Sequence, residues 1–174
     1  MIDYHTYNSK ESSCVYAPTP FNMKDFLSVA VAADTSNTPI VDVSAGFLRL
    51  TGYSREAVVG QNCRFLQGKK TDPAVRKKIR AAIKKKETFS GFILNYRQSG
   101  EPFWQYLNIS YHSIDPGVGF FIGVQSAFGL FSEDFFDIKN QGDTIQVYVR
   151  PNLDPDYKDL IFTLDTQTLC EYTR

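Results

Sequence analysis

Cysteine and histidine are scarce in this chain, and neither is arranged for metal or disulfide chemistry. Its three cysteines, Cys14, Cys63 and Cys170, lie too far apart for a disulfide framework or a zinc spacing. Two lone histidines, His5 and His112, argue against a histidine-built metal site, so no metal is expected. The N-terminal MIDYHTYNSKESS contains no apolar run, so nothing there reads as a signal peptide or membrane span. Neither charge is in excess, with 19 Lys+Arg against 19 Asp+Glu. That removes the global positive field expected of a nucleic-acid or anionic-membrane binder. There is no internal repeat and no low-complexity segment. A soluble cytoplasmic protein with reduced thiols is the expectation.

What is present suffices for a packed core. The 174 residues are 43% hydrophobic and 14% aromatic with 22% charged, which suits one ordinary domain with an appendage or two very small domains. Charge is unevenly placed: Lys69 to Lys86 is strongly basic, and residues 133–165 hold most of the later aspartates.

Periodicity supplies the elements. Phe26 to Ala32 and Thr38 to Val43 read as two strands joined by a DTSNT turn. Ser44 is placed to cap a short helix in AGFLRLTGY, and Ser54 with Glu56 starts another. The cleanest helix is TDPAVRKKIRAAIKKK, with Asp72 at the N-cap, Pro73 in the first turn and Val75, Ile79 and Ile83 as its buried stripe. Three strands follow, Phe89 to Arg97, Pro102 to His112 and Gly119 to Phe128, separated by turns. The order predicts an α+β domain: a five-stranded antiparallel sheet with helices gathered on one face. Beyond it, Phe128, Phe131, Phe135 and Ile138 have helical spacing, NQGD reads as a turn and TIQVYVR as a strand. YKDLIFTLDTQTLCEY fits helix and strand equally well.

The chemistry is concentrated in GQNCRFLQG, residues 60–68, a turn entering a short helix on which Cys63 and Gln67 share a face. A single cysteine of this kind is ordinarily a packed small hydrophobe. The late strands add a second signal. Gln105 shares a face with Phe103, Leu107 and Ile109; Gln125 with Phe121 and Gly123; and Asn95 with Ile93. Buried amides need partners. For any one of them a neighbouring amide or a water serves; for three on adjacent strands a bound heterocycle competes, with Gly123 leaving room for a ring.

GQNCRFLQG, followed by IRAAI, NYRQSG, PFW and FFIGVQ, resembles the signature of the LOV (light–oxygen–voltage) branch of the PAS fold over roughly residues 24–127. The resemblance implies a flavin mononucleotide (FMN) held noncovalently, with FAD and riboflavin left open as substitutes. Cys63 matches the photoactive thiol, which bonds reversibly to flavin C4a in blue light. Asn62 and Gln67 match residues touching the flavin or its ribityl chain. Arg64 and Arg80 match the phosphate-holding arginines, and the fork-shaped guanidinium suits that anion. Asn95 matches an amide at the pyrimidine edge, and Gln125 the switch amide beside N5. Gln105 departs from the usual asparagine by one methylene, which puts flavin affinity and spectral tuning in question.

The organisation so implied is an N-terminal arm (1–23), a flavin-binding core (24–127) and a regulatory or dimerisation extension (128–174). It resembles a short LOV photoreceptor without an effector domain, not an enzyme. A homodimer and an unidentified downstream protein partner are expected by analogy. The principal alternative is a flavin-dependent redox protein without adduct signalling. No second substrate constellation, nicotinamide fingerprint or catalytic His/Asp pair supports it. A generic PAS module binding another ligand is the remaining alternative, and the intact cysteine motif argues against it.

Overall fold

The computed structural model describes residues 27–126, 136–149 and 159–173. β1 (Leu27–Ala33) and β2 (Ile40–Val43) form the expected antiparallel pair. Three helical pieces follow: α1 (Ala45–Thr51), α2 (Arg55–Val58) and, after a single 3-10 turn at Cys63–Leu66, α3 (Pro73–Lys85). β3 (Phe89–Tyr96), β4 (Pro102–Asp115) and β5 (Val118–Ser126) complete an antiparallel five-stranded sheet in the order β2-β1-β5-β4-β3. β5, the last strand in sequence, is therefore the central strand in space.

Local chemistry explains where the helices begin and end. Ser44 Oγ accepts from Phe47 N at 3.2 Å and from Val29 N at 2.9 Å, so one hydroxyl caps α1 and ties it to β1. At Gly46 the helix backbone lies directly on β1: an added Cβ would sit 2.1 Å from the Leu27 carbonyl oxygen. Gly46→Ala is therefore expected to destabilise the fold by about 1–3 kcal/mol, because backbone rather than a pliable side chain must give way. Urea unfolding monitored by circular dichroism measures it. Asp72 caps α3 through Ala74 N at 2.7 Å. That helix ends on Lys86 at φ 58, a left-handed conformation uncommon for a side-chain-bearing residue. Lys86 Nζ is held by the Asp34 carboxylate at 2.7 Å and donates to the Tyr111 hydroxyl at 3.1 Å.

Two apolar layers flank the sheet. On the inner face Ile79 and Ala82 of α3 pack on Phe89, Ile93, Leu107, Ile109 and Phe121, while Phe47, Val58 and Leu66 pack beside β1 and β2. The expected stripe on α3 is present, with Val75 and Ile83 partly buried at its margins.

The extension supplies the layer on the outer face. β6 (Phe136–Gln141), β7 (Thr144–Val149) and β8 (Asp159–Asp165) form a second sheet in sequence order, followed by α4 (Thr166–Thr173). Ile145, Val147, Leu164 and Leu169 bury against Val29, Val31, Phe120, Ile122 and Val124. Ile138, expected in an amphipathic helix, is in β6 opposite Val147. Pairing with β7 satisfies its backbone, and its side chain joins the same apolar cluster, so tertiary packing overrides the local spacing. Phe128, Phe131 and Phe135, like Cys14 and the arm, lie outside the described residues. The ambiguous segment is both strand and helix, dividing where Asp165 Oδ1 accepts from Gln167 N at 2.8 Å. Beyond the extension, β3 and β4 leave Phe92 (54%) and Trp104 (61%) exposed on the outer face.

Candidate functional site

Between the inner face of the sheet and the helical layer lies a cavity of about 500 Å³, within the range of small-molecule sites. All eight residues singled out from sequence line it: Asn62, Cys63, Arg64, Gln67, Arg80, Asn95, Gln105 and Gln125. The wall opposite Cys63 is built by strand register. Ile93 pairs with Gln105 and Asn95 with Phe103 across β3–β4, and Leu107 pairs with Gln125 across β4–β5. The three amides thus occupy neighbouring positions on one face of three adjacent strands.

Their hydrogen bonding is incomplete. Asn95 Oδ1 and both Oε1 and Nε2 of Gln105 are buried without a partner. Gln105 and Gln125 are each only 1% exposed, so solvent does not serve them. Each such orphan costs about 1–3 kcal/mol. Gln125 is partly satisfied: the Ser28 hydroxyl, paired with it across β1–β5, donates to Oε1 at 3.0 Å. Asn108, on the opposite face of β4, donates to Ser90 Oγ at 2.9 Å and takes no part in the cavity wall.

Cys63 sits at the start of the 3-10 turn, which Asn62 caps by accepting from Arg64 N at 2.9 Å. The expectation of a helical face shared by Cys63 and Gln67 is corrected here: the turn is too short and tight, and Gln67 is its extended C-cap. Both side chains nonetheless reach the cavity. Cys63 is half-buried, and the surface it retains lines the cavity. Burial raises its thiol from an ordinary 9.0 to about 12. The sulfur is therefore a neutral thiol, and any light-driven reaction of it is expected to proceed at an unchanged rate as pH passes through 9.0. Flash spectroscopy across that range checks it; a rate rising with the thiolate fraction of an ordinary cysteine would contradict it.

The cavity mouth is cationic. Arg64, Arg76, Arg80, Lys84 and Lys86 line it against the single carboxylate of Asp34, in a chain whose formal charge is zero. Arg64 is held in place by donating from Nε to Asn62 Oδ1 at 2.8 Å and from Nη2 to Asn37 Oδ1 at 3.1 Å. Ser28, Asn37, Arg76 and Lys84 were not legible as site residues from sequence. Only the i, i+4 spacing of Arg76, Arg80 and Lys84 on one helix hinted at the last two.

A PAS domain family model matches residues 28–126. The chain belongs to the PAS family. A LOV domain from the blue-light-activated histidine kinase of Erythrobacter litoralis EL346 superposes with a TM-score of 0.56 at 39% identity, covering 59% of this chain and 96% of that domain. Phototropin-2 of Oryza sativa subsp. japonica is 43% identical over 122 residues, 66% of this chain but 14% of the phototropin. A blue-light-activated histidine kinase of Rhizobium johnstonii is 48% identical over 88 residues, 50% of this chain and 26% of the kinase. Within the PAS family this is a LOV domain of the blue-light-sensing type. The matched LOV segment is thus a small fraction of those larger proteins. Among the described residues no helix is long and apolar enough to cross a membrane.

Proposed function

We propose that this LOV domain senses blue light through FMN bound in the cavity, with Cys63 as the reactive thiol. The observation that carries this reading is the pairing of a neutral thiol on one wall with under-satisfied buried amides on the other. A flat heterocycle with mixed donors and acceptors is what such a wall lacks. Gly123 adds to the fit: beside a Cβ there, the nearest protein atoms stand 3.7 Å away, so the glycine leaves cavity space a larger side chain would take. Asn62, Gln67, Asn95, Gln105 and Gln125 would contact the flavin, and Arg64 and Arg80 its phosphate.

When bound, the flavin supplies light absorption and an electrophilic C4a carbon. Cys63 would supply the sulfur for a reversible bond to that carbon, and its proton would go to the ring's N5, so atoms and charge balance. Gln125 would then face a donor where an acceptor had been, and would have to present Oε1 to it. That oxygen is engaged by the Ser28 hydroxyl. Turning the amide therefore breaks the Ser28 bond or reverses it, with Ser28 accepting from Nε2. Strand β1 is drawn into the response along with β5.

On this reading residues 24–127 are the sensory unit of a non-enzymatic photoreceptor, 1–23 an arm and 128–174 the regulatory or dimerisation element. It works in the cytoplasm as a homodimer on a downstream protein partner. The absorption spectrum of purified protein before, during and after blue illumination tests the core claim. Reversible bleaching of a flavin band is expected; colourless protein, or a band indifferent to light, would overturn it.

Gln105 offers a test with opposite signs in two measurements. Gln105→Leu removes both orphaned amide atoms, so the flavin-free protein is expected to gain about 1–3 kcal/mol in urea unfolding. The same variant is expected to bind FMN about tenfold more weakly, having lost a contact to the ring. Stability unchanged and affinity unchanged together would remove Gln105 from the site.

A further inference from the structure

We propose that the outward face of α3 is a docking surface for an anionic lipid bilayer, with lysines rather than apolar groups making the contact. The neutral total of the chain conceals a concentrated charge. Residues 69–86 hold nine of the 19 Lys+Arg and one carboxylate, Asp72, a net +8 that the rest of the chain offsets with −8. At 3.6 residues per turn Lys77, Lys78 and Lys85 fall within about one third of the helix circumference. That side is turned away from Ile79 and Ala82, which pack on the sheet. Ala74 and Ala81 share it, so no bulky group stands above the ammonium groups. Lys69 and Lys70, exposed in the loop leading into α3, extend the charge at its N-terminal end.

All five lysines are exposed and lie outside the cavity lining, so this face is separate from the proposed flavin site. Carboxylates do little to neutralise it. Among the described residues no ion pair engages Lys69, Lys70, Lys77 or Lys78. Lys85 meets Glu87 at 3.7 Å with the two side chains 64% and 61% exposed, a pair that contributes little. Asp143, Asp165 and Glu171 are exposed on the extension, which packs against the opposite face of the sheet. Two layer spacings of about 10 Å separate that extension from α3, and the screening length at physiological salt is about 8 Å. A surface touching α3 therefore meets the lysines and is screened from those carboxylates. The make-up of the face selects a bilayer among polyanions. Ammonium groups on flexible stems follow a fluid layer of anionic headgroups, each contributing about fivefold in affinity. Nucleic-acid recognition draws on guanidinium forks and aromatic platforms, and none of the residues named on the face supplies either. With no large apolar side chain among them, binding is peripheral and salt-sensitive rather than inserted.

Co-sedimentation of the full-length protein with vesicles tests the assignment. The vesicles are phosphatidylcholine alone, or phosphatidylcholine with about 30% phosphatidylserine, at about 0.1 M salt. Wild-type protein is expected to sediment only with the anionic vesicles and to be released at about 1 M salt, where the screening length falls to about 3 Å. Lys78→Gln is expected to weaken binding about fivefold, and Lys77→Gln, Lys78→Gln and Lys85→Gln combined about a hundredfold. Glutamine is nearly as good a helix former as lysine, so α3 should persist, which circular dichroism checks. Arginine at the same three positions keeps the charge and is expected to bind as wild type does. Lys139→Gln removes an equal charge from an exposed site on the extension and should change nothing.

Equal sedimentation with both kinds of vesicle, or with neither, would overturn the proposal. So would a triple glutamine variant that binds as tightly as wild type, or a loss in Lys139→Gln matching that in Lys78→Gln. A labelled DNA duplex serves as the rival polyanion. Tighter capture of the duplex than of the vesicles, lost in the triple variant, would reassign the face to nucleic acid and overturn the lipid assignment. Each of these outcomes leaves the flavin site standing, since none of the substituted lysines lines the cavity.

Discussion

Cys63→Ala is expected to keep flavin bound, to lose reversible bleaching completely and to fluoresce persistently under blue light. The sulfur is one group among many lining the cavity, so removing it costs little affinity. It is also the nucleophile at the cavity wall whose burial keeps it protonated, near 12, and so available to give both sulfur and proton to one partner. Among the described residues no compensating thiol is at hand: Cys170, the other described cysteine, lies on α4 in the layer that covers the outer face. Cys170→Ala should therefore bleach and recover as wild type does, and Cys14→Ala, outside the GQNCRFLQG motif, is expected to do the same. Difference spectra of the three variants under identical illumination decide the matter. Reversible bleaching to the same product in Cys63→Ala would show that the wrong sulfur had been assigned.

Illumination is expected to lower hydrogen-exchange protection in β7, β8 and α4 by about tenfold without releasing them from the sheet. Magnitudes decide between loosening and release. Ile145, Val147, Leu164 and Leu169 are each 0–1% exposed, and burying a side chain of that size stabilises by about 1.5–3 kcal/mol. Part of that burial is against the extension's own strands, yet several kcal/mol still attach it to Val29, Val31, Phe120, Ile122 and Val124. A mismatched hydrogen bond at Gln125 supplies about 1–3 kcal/mol, enough for roughly tenfold in an opening equilibrium and too little to eject the layer. The route is short. Val124 faces the extension from the same central strand on which Gln125 faces the cavity, and Ser28 answers Gln125 from the neighbouring β1. Gln125→Leu should preserve bleaching and abolish the exchange difference, because a leucine has no amide to turn. Equal protection of the extension in dark and lit wild-type protein would sever the proposed link between cavity and extension.

Much of this molecule was legible in one dimension. Asp72 and Ser44 announced helix starts because capping is a contact between near neighbours, at 2.7 Å to Ala74 N and 3.2 Å to Phe47 N. The alternation in β3, β4 and β5 placed Asn95, Gln105 and Gln125 on the inner face, since a strand's period of two follows from backbone geometry alone. Where local spacing was weaker evidence, it misled. The helical interval ending at Ile138 lost to pairing with Val147, and the four-residue separation of Cys63 and Gln67 belonged to a 3-10 turn and its cap. Other features had no local signature. Ser28 is 97 positions from Gln125, and the Lys86–Asp34 contact spans the sheet hairpin and the end of α3.

The sequence by itself determined the elements of the core, the face on which each amide stands and the motif that brings Cys63 forward, because each depends on neighbours a few residues away. Only the tertiary structure decided that residues 136–149 and 159–173 form a second sheet and helix roofing the outer face, that Ser28 holds Gln125, and that the Arg76 Nε is buried without a partner. Those outcomes rest on contacts between segments distant along the chain, and burial, which sets their energies, is a property no short stretch of residues possesses alone.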